Sequence, residues 1–111
     1  MRRLPLFVYL HSFDAAARSL LDERTQHVLE LSLLADPDAG DILRGAGGVR
    51  KLRIAVSGSG KRGGARVIYY YRRSAGRIYL LFIYGKHQAA TLSDEGKSLM
   101  RTLVRQLEEA P

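Results

Sequence analysis

Hydrophobic and polar positions change their period several times along the chain, and each change marks an element. Leu4 to Leu10 is a short, nearly continuous apolar run that reads as a first strand, with Pro5 tolerated at a strand start or edge. Ser12 is placed to cap a first helix over about 13–20. A second helix begins near Asp22, where Asp22 and Glu23 complement the positive end of its dipole. Val28, Leu29, Leu31, Leu33 and Leu34 give this helix an apolar stripe wide enough to cover one face of a sheet. Asp36-Pro37-Asp38 ends it, because Pro37 disfavours helical dihedrals at the residue before it.

A glycine-rich connector over 39–49 then leads into a region of period two. Leu52, Ile54 and Val56 point one way and Lys51, Arg53 and Ala55 the other. After the glycine-rich loop 57–64, Arg66 to Arg72 forms a β-branched and aromatic strand with Arg66, Ile68 and Tyr70 on one face and Val67, Tyr69 and Tyr71 on the other. Arg73 to Gly76 makes a tight hairpin. Arg77 to Tyr84 is almost wholly apolar, as expected of the centre of the sheet. Ser93 caps a closing helix whose first turn holds Asp94 and Glu95 and whose buried stripe is Leu99, Met100, Leu103, Val104 and Leu107. The order predicts an α+β fold: a strand, two helices, a three-stranded antiparallel meander and a final helix, in a single domain spanning 1–111.

Charge changes this picture from a scaffold to a surface. The net charge is +7, yet residues 1–48 hold five basic and seven acidic side chains, while 49–111 hold thirteen and four. From Gly48 to His87 there are ten Lys or Arg and no carboxylate. Such a face concentrates polyanions, nucleic acid above all, although a solvated basic surface without a role is the plainer alternative. The longest apolar run, Ile78 to Tyr84, is far short of the roughly 20 residues that span a bilayer, so no membrane partner is expected. The basic, mildly apolar N-terminus lacks the length and cleavage site of a signal peptide and is read as a mature strand. With no cysteine there is no disulfide framework and no thiolate chemistry, which fits a reducing cytoplasm.

Lys51, Arg53 and Arg66 share the open face, Lys61 and Arg62 sit at the tip of the loop over it, and Lys86 and His87 follow the last strand. Cations in this arrangement suit a phosphodiester backbone and can stabilise the charge that develops when a 2′-hydroxyl attacks phosphorus. Arg50 adds a further cation, and Tyr70 is an aromatic ring able to stack on a base. His87 is the only histidine beside the cluster and has the chemistry of a general acid or base, although a surface histidine is an equal reading. Three histidines without paired spacing and without neighbouring carboxylates argue against a metal site, and no cofactor is expected. The loop SGSGKRGG lacks the spacing of a nucleotide-binding P-loop, and no GxSxG is present for a serine hydrolase.

The segments GGVRKLR, KRGGARVIYYY and GRIYLLFIYGKH, followed by a helix, resemble the RelE/HigB family of toxin–antitoxin toxins, in particular its HigB-like branch, over about residues 25–108. The resemblance implies a RelE-like fold, a small twisted antiparallel sheet with N-terminal helices on one face and a C-terminal helix. It also implies an endonuclease that cuts translated mRNA on the ribosome without a metal, and a cognate antitoxin, in this branch a helix-turn-helix DNA-binding protein. By position, Lys51 and Arg53 match the family's basic pair, Arg66 the arginine opening the next strand, and Lys86 the lysine after the last strand. His87 falls where related chains carry arginine or asparagine. Two other readings fit the same fold: a ParE-like toxin that inhibits DNA gyrase by protein contact, and a degenerate toxin that only binds its antitoxin.

Overall fold

The computed structural model describes residues 4–56, 64–85 and 93–111. Strand β1 (Leu6–Tyr9) leads into α1 (His11–Ala17) and α2 (Glu23–Ala35). These are followed by the two-residue β2 (Asp41–Ile42), β3 (Arg50–Ile54), β4 (Ala65–Arg72), a 3-10 turn (Arg73–Ala75), β5 (Arg77–Gly85) and α3 (Asp94–Glu109). The strands form one sheet in the order β1-β5-β4-β3-β2. The expected meander is present, β3 to β4 to β5, all antiparallel. β1, however, lies parallel to β5. The chain leaves β1 through two helices and comes back to the sheet at its opposite edge, so only the last strand of the meander ends up beside β1. β4 is therefore the middle strand of the five, with β5 next to it.

The sheet separates two apolar layers. On one side Phe13, Leu29 and Leu33 from the helices meet Val67, Tyr69 and Ile78. On the other, Val104 of α3 and Ala46 and Val49 of the connector meet Ile68, Tyr79 and Leu81. α2 is capped as its sequence predicts, with the Asp22 carboxylate accepting from the Thr25 amide at 2.7 Å. Its stripe is narrower than expected: Leu29 and Leu33 are fully buried, while Val28 and Leu31 are 54% and 52% exposed. The helical pitch of 3.6 residues per turn carries those two round to the solvent side. α1 starts at His11 behind an uncapped Leu10, and the Ser12 hydroxyl instead donates to the Leu81 carbonyl at 2.6 Å, fastening α1 to β5. The Tyr9 hydroxyl donates to Glu30, joining β1 to α2. No described helix is long and apolar enough to cross a membrane.

One irregularity decides which way β5 faces. Ile68 is paired with Phe82, but the next residue of β4, Tyr69, is paired with Leu80, so Leu81 is an extra residue opposite the step between them. A bulge of this kind puts two successive side chains on one side of the sheet. Leu81 and Phe82 both point to the α3 side, Leu81 beneath the helix and Phe82 beyond it, and the alternation resumes in the opposite phase with Ile83 under α1 and α2.

Candidate functional site

Among the described residues, the α3 side of the sheet is only partly covered. α3 spans the end near the hairpin, where Tyr70 donates to Glu108 and Arg72 donates to the carbonyls of Leu107 and Ala110 at 3.0 and 2.8 Å. Burial and then the Glu108 hydrogen bond push the Tyr70 phenol up to about 12. The open end of the same face lies where β3 finishes, β4 begins and β5 finishes.

Two cross-strand rows occupy that open end. In the first, Arg53 of β3 is directly opposite Arg66 of β4, which is directly opposite Tyr84 of β5. In the second, Lys51 is opposite Ile68, which is opposite Phe82. Neighbouring strands stand about 4.8 Å apart, so each row brings its three side chains within reach of one ligand. Cations fill β3, aromatic rings fill β5, and β4 contributes one cation, Arg66, and the aliphatic Ile68. Phe82 is 40% exposed, and its ring lies 6.5 Å from that of Tyr84 with the planes 30° apart. Asp41 of β2 is paired with Lys51, which brings a carboxylate to the rim of a surface whose own stretch of sequence has none.

Gly64 stands just before β4. Its φ is +70°, and a Cβ there would collide with the Ile54 carbonyl oxygen, so only glycine fits beside the Ile54–Ala65 pair, one step from the Arg53–Arg66 pair.

The sequence-predicted residues divide into three groups. Lys51, Arg53 and Arg66 come together as expected. Arg50 points to the opposite face, where its guanidinium donates to the carbonyls of Asp38 and Gly40 and lies 3.4 Å from the Asp38 carboxylate. It tightens the loop after α2 and has no part in the open surface. Tyr70 is on the correct face but under α3, with its hydroxyl held by Glu108, so the rings beside the cations are those of Phe82 and Tyr84 instead. Lys61, Arg62, Lys86 and His87 lie outside the described residues. Several other cations of the basic half are structural. Arg73 makes a two-oxygen contact with Asp38 at 2.8 and 2.9 Å, and Arg77 donates to the Pro111 carbonyl. Among the described residues, no group of three or more His, Cys, Asp or Glu side chains comes together.

Residues 34–110 match the family described as the RelE toxin of the RelE / RelB toxin-antitoxin system, and with most of the chain so matched the protein belongs to that family. It is therefore a toxin of a toxin–antitoxin pair. A solved structure of the E. coli toxin RelE, a double arginine-to-alanine mutant in the free state, matches with a TM-score of 0.59 at 17% sequence identity, over 93% of this chain and 98% of that one. At that identity the likeness is one of fold, and it extends to the five-stranded sheet and the C-terminal helix.

Proposed function

We propose that this RelE-family toxin is a ribosome-dependent, metal-independent endoribonuclease of the HigB-like branch, which cuts translated mRNA in the cytoplasm and so stops translation. The observation that carries the reading is the directly opposed pair Arg53–Arg66 with Lys51 beside it. Cations directly opposite each other on neighbouring strands bring two guanidinium groups within reach of one anion. In the proposed reaction a 2′-hydroxyl attacks the adjacent phosphorus, the bond from phosphorus to the 5′-oxygen breaks, and the products are a 2′,3′-cyclic phosphate and a 5′-hydroxyl. The three cations bind the phosphate and take up the extra negative charge of the transition state. His87 is the proposed general acid or base, with Lys86, Lys61 and Arg62 as further phosphate contacts. The GGVRKLR segment supports the HigB-like assignment, and with it a helix-turn-helix antitoxin as the partner.

Induction without the antitoxin tests this, with amino-acid, thymidine and uridine incorporation followed together and message ends mapped. A prompt fall in amino-acid incorporation, with new ends bearing cyclic phosphate inside reading frames, is the expected result. Thymidine incorporation falling first over intact messages would replace the nuclease by a gyrase inhibitor, and undisturbed growth would leave a protein that only binds its antitoxin.

A further inference from the structure

We propose that Phe82 and Tyr84 form a platform on which one base of the single-stranded message stacks while Arg53 and Arg66 hold its phosphates. This rests on the ribonuclease reading and names the part of the site that grips the base. β5 is otherwise a core strand, with Ile78, Leu80, Leu81 and Ile83 all between 0% and 2% exposed. Phe82 departs from it at 40% and belongs to neither apolar layer. A large ring 40% exposed in the middle of a buried strand offers, next to cations, a flat apolar surface for a nucleobase. Tyr84 extends that surface, its ring 6.5 Å from that of Phe82 and only 30° off parallel.

The layout matches a nucleotide in both its halves. A single strand presents charge along its backbone and a π-face set to one side of it. Across the sheet, charge lies on β3 and β4 and the rings on β5, with Tyr84 one strand from Arg66 and two from Arg53. Stacking of this kind is tolerant of base identity because every base has a π-face. The bulge at Leu81 produces the arrangement. With regular alternation onward from Tyr79 and Leu81, Phe82 and Tyr84 would both turn toward α1 and α2, and the open face would lose both rings.

The test uses purified full-length protein on ribosomes programmed with a defined message, either intact or carrying one abasic nucleotide at each position flanking the cut in turn. Phe82→Leu and Tyr84→Leu keep apolar bulk and remove the ring, while Tyr84→Phe keeps the ring and removes the hydroxyl. Each Leu variant should lower kcat/KM for cleavage by about 5- to 150-fold, the range for losing one base–aromatic stack, and Tyr84→Phe, which keeps the ring, should lose less than Tyr84→Leu. At one position the abasic nucleotide should cost the parent a similar factor and cost the Leu variants nothing more. If the Leu variants cut the intact message at the parental rate, or the abasic penalty is the same in parent and variants, the platform is wrong and the nuclease stands. If the Leu variants weaken antitoxin binding and leave cleavage unchanged, the rings serve a protein interface and the proposal is overturned. If the parent cuts no message at all, the nuclease reading and the platform fall together.

Discussion

Replacing Arg53 by glutamine separates a cation kept for a ligand from one kept for the fold. Arg53 and Arg66 are directly opposite in register, which places their Cβ atoms about 4.5–5.5 Å apart. With the guanidinium charges taken as about 7 Å apart and an effective dielectric of about 40–80 at this partly exposed site, the repulsion is ~0.6–1.2 kcal/mol. Screening at physiological salt, where the Debye length is about 8 Å, cuts it to less than half. Arg53→Gln should therefore raise the free energy of unfolding by ~0.2–0.5 kcal/mol, a rise in Tm of about 1–4 °C. The gain should vanish near about 1 M salt, where the Debye length falls to about 3 Å. The same variant should cleave message about 10²- to 10³-fold more slowly, since it lacks one preorganised donor to the transition-state charge. Urea unfolding at low and high salt beside single-turnover cleavage reads both effects. A variant that is less stable than the parent by more than about 0.5 kcal/mol, or one that cuts at the parental rate, would refute the reasoning, because the arginine would then be serving the fold or nothing.

Other substitutions probe how the site is supported. The Tyr69 hydroxyl accepts from the buried Gly40 amide at 2.9 Å and donates to the Pro37 carbonyl at 2.8 Å, so Tyr69→Phe should cost ~1–3 kcal/mol in urea unfolding by leaving that amide without its partner. Gly64→Ala must hold a left-handed backbone and meet the Ile54 carbonyl; it should lose at least ~1–2 kcal/mol in thermal melts and expose the Ala65 amide to hydrogen exchange. The Tyr70 phenol is pushed up to about 12 from its ordinary 10.0, first by burial and then by Glu108. The folded chain holds this proton more tightly than the unfolded one, so the associated stability is fully present below about pH 10 and is lost as pH rises toward about 12. Tyr70→Phe should make the alkaline decline shallower, as followed by denaturant unfolding together with tyrosinate absorbance.

Much of this was legible in the residues because it depends on local pattern. Alternation on β3 and β4 put Lys51, Arg53 and Arg66 on one face, and the Asp22 and Ser93 caps marked where α2 and α3 begin. What was not legible depends on partners distant in sequence. The side chain of Tyr70 gives no local sign that α3 will cover it, and Arg50 shares its parity with Leu52, a signal that it faces the helices, which its charge outweighs in a reading by composition. The sheet also brings Asp41 alongside Lys51 across a glycine-rich connector that shows no strand period. Phe82 and Tyr84 were hidden for another reason. In an unbroken apolar run nothing distinguishes the two faces, and a bulge leaves no mark in the sequence to show where the phase turns over.

That extra residue in β5 makes the phase of its alternation, more than its composition, the most sensitive property of the strand. The segment before Leu81 keeps step with β1 and the cores on both sides, while the segment after it runs in the reverse phase and displays its rings outward. Running the same sequence through this point without the bulge, so that alternation continued from Tyr79 and Leu81, would present Ile83 where Phe82 and Tyr84 now stand and turn both rings inward against the helices. Such a strand would be unchanged to any count of hydrophobic or charged residues, and its open face would be aliphatic. Related toxins that carry a similar apolar run with this irregularity at another point of the strand are therefore expected to display different surfaces on the same fold.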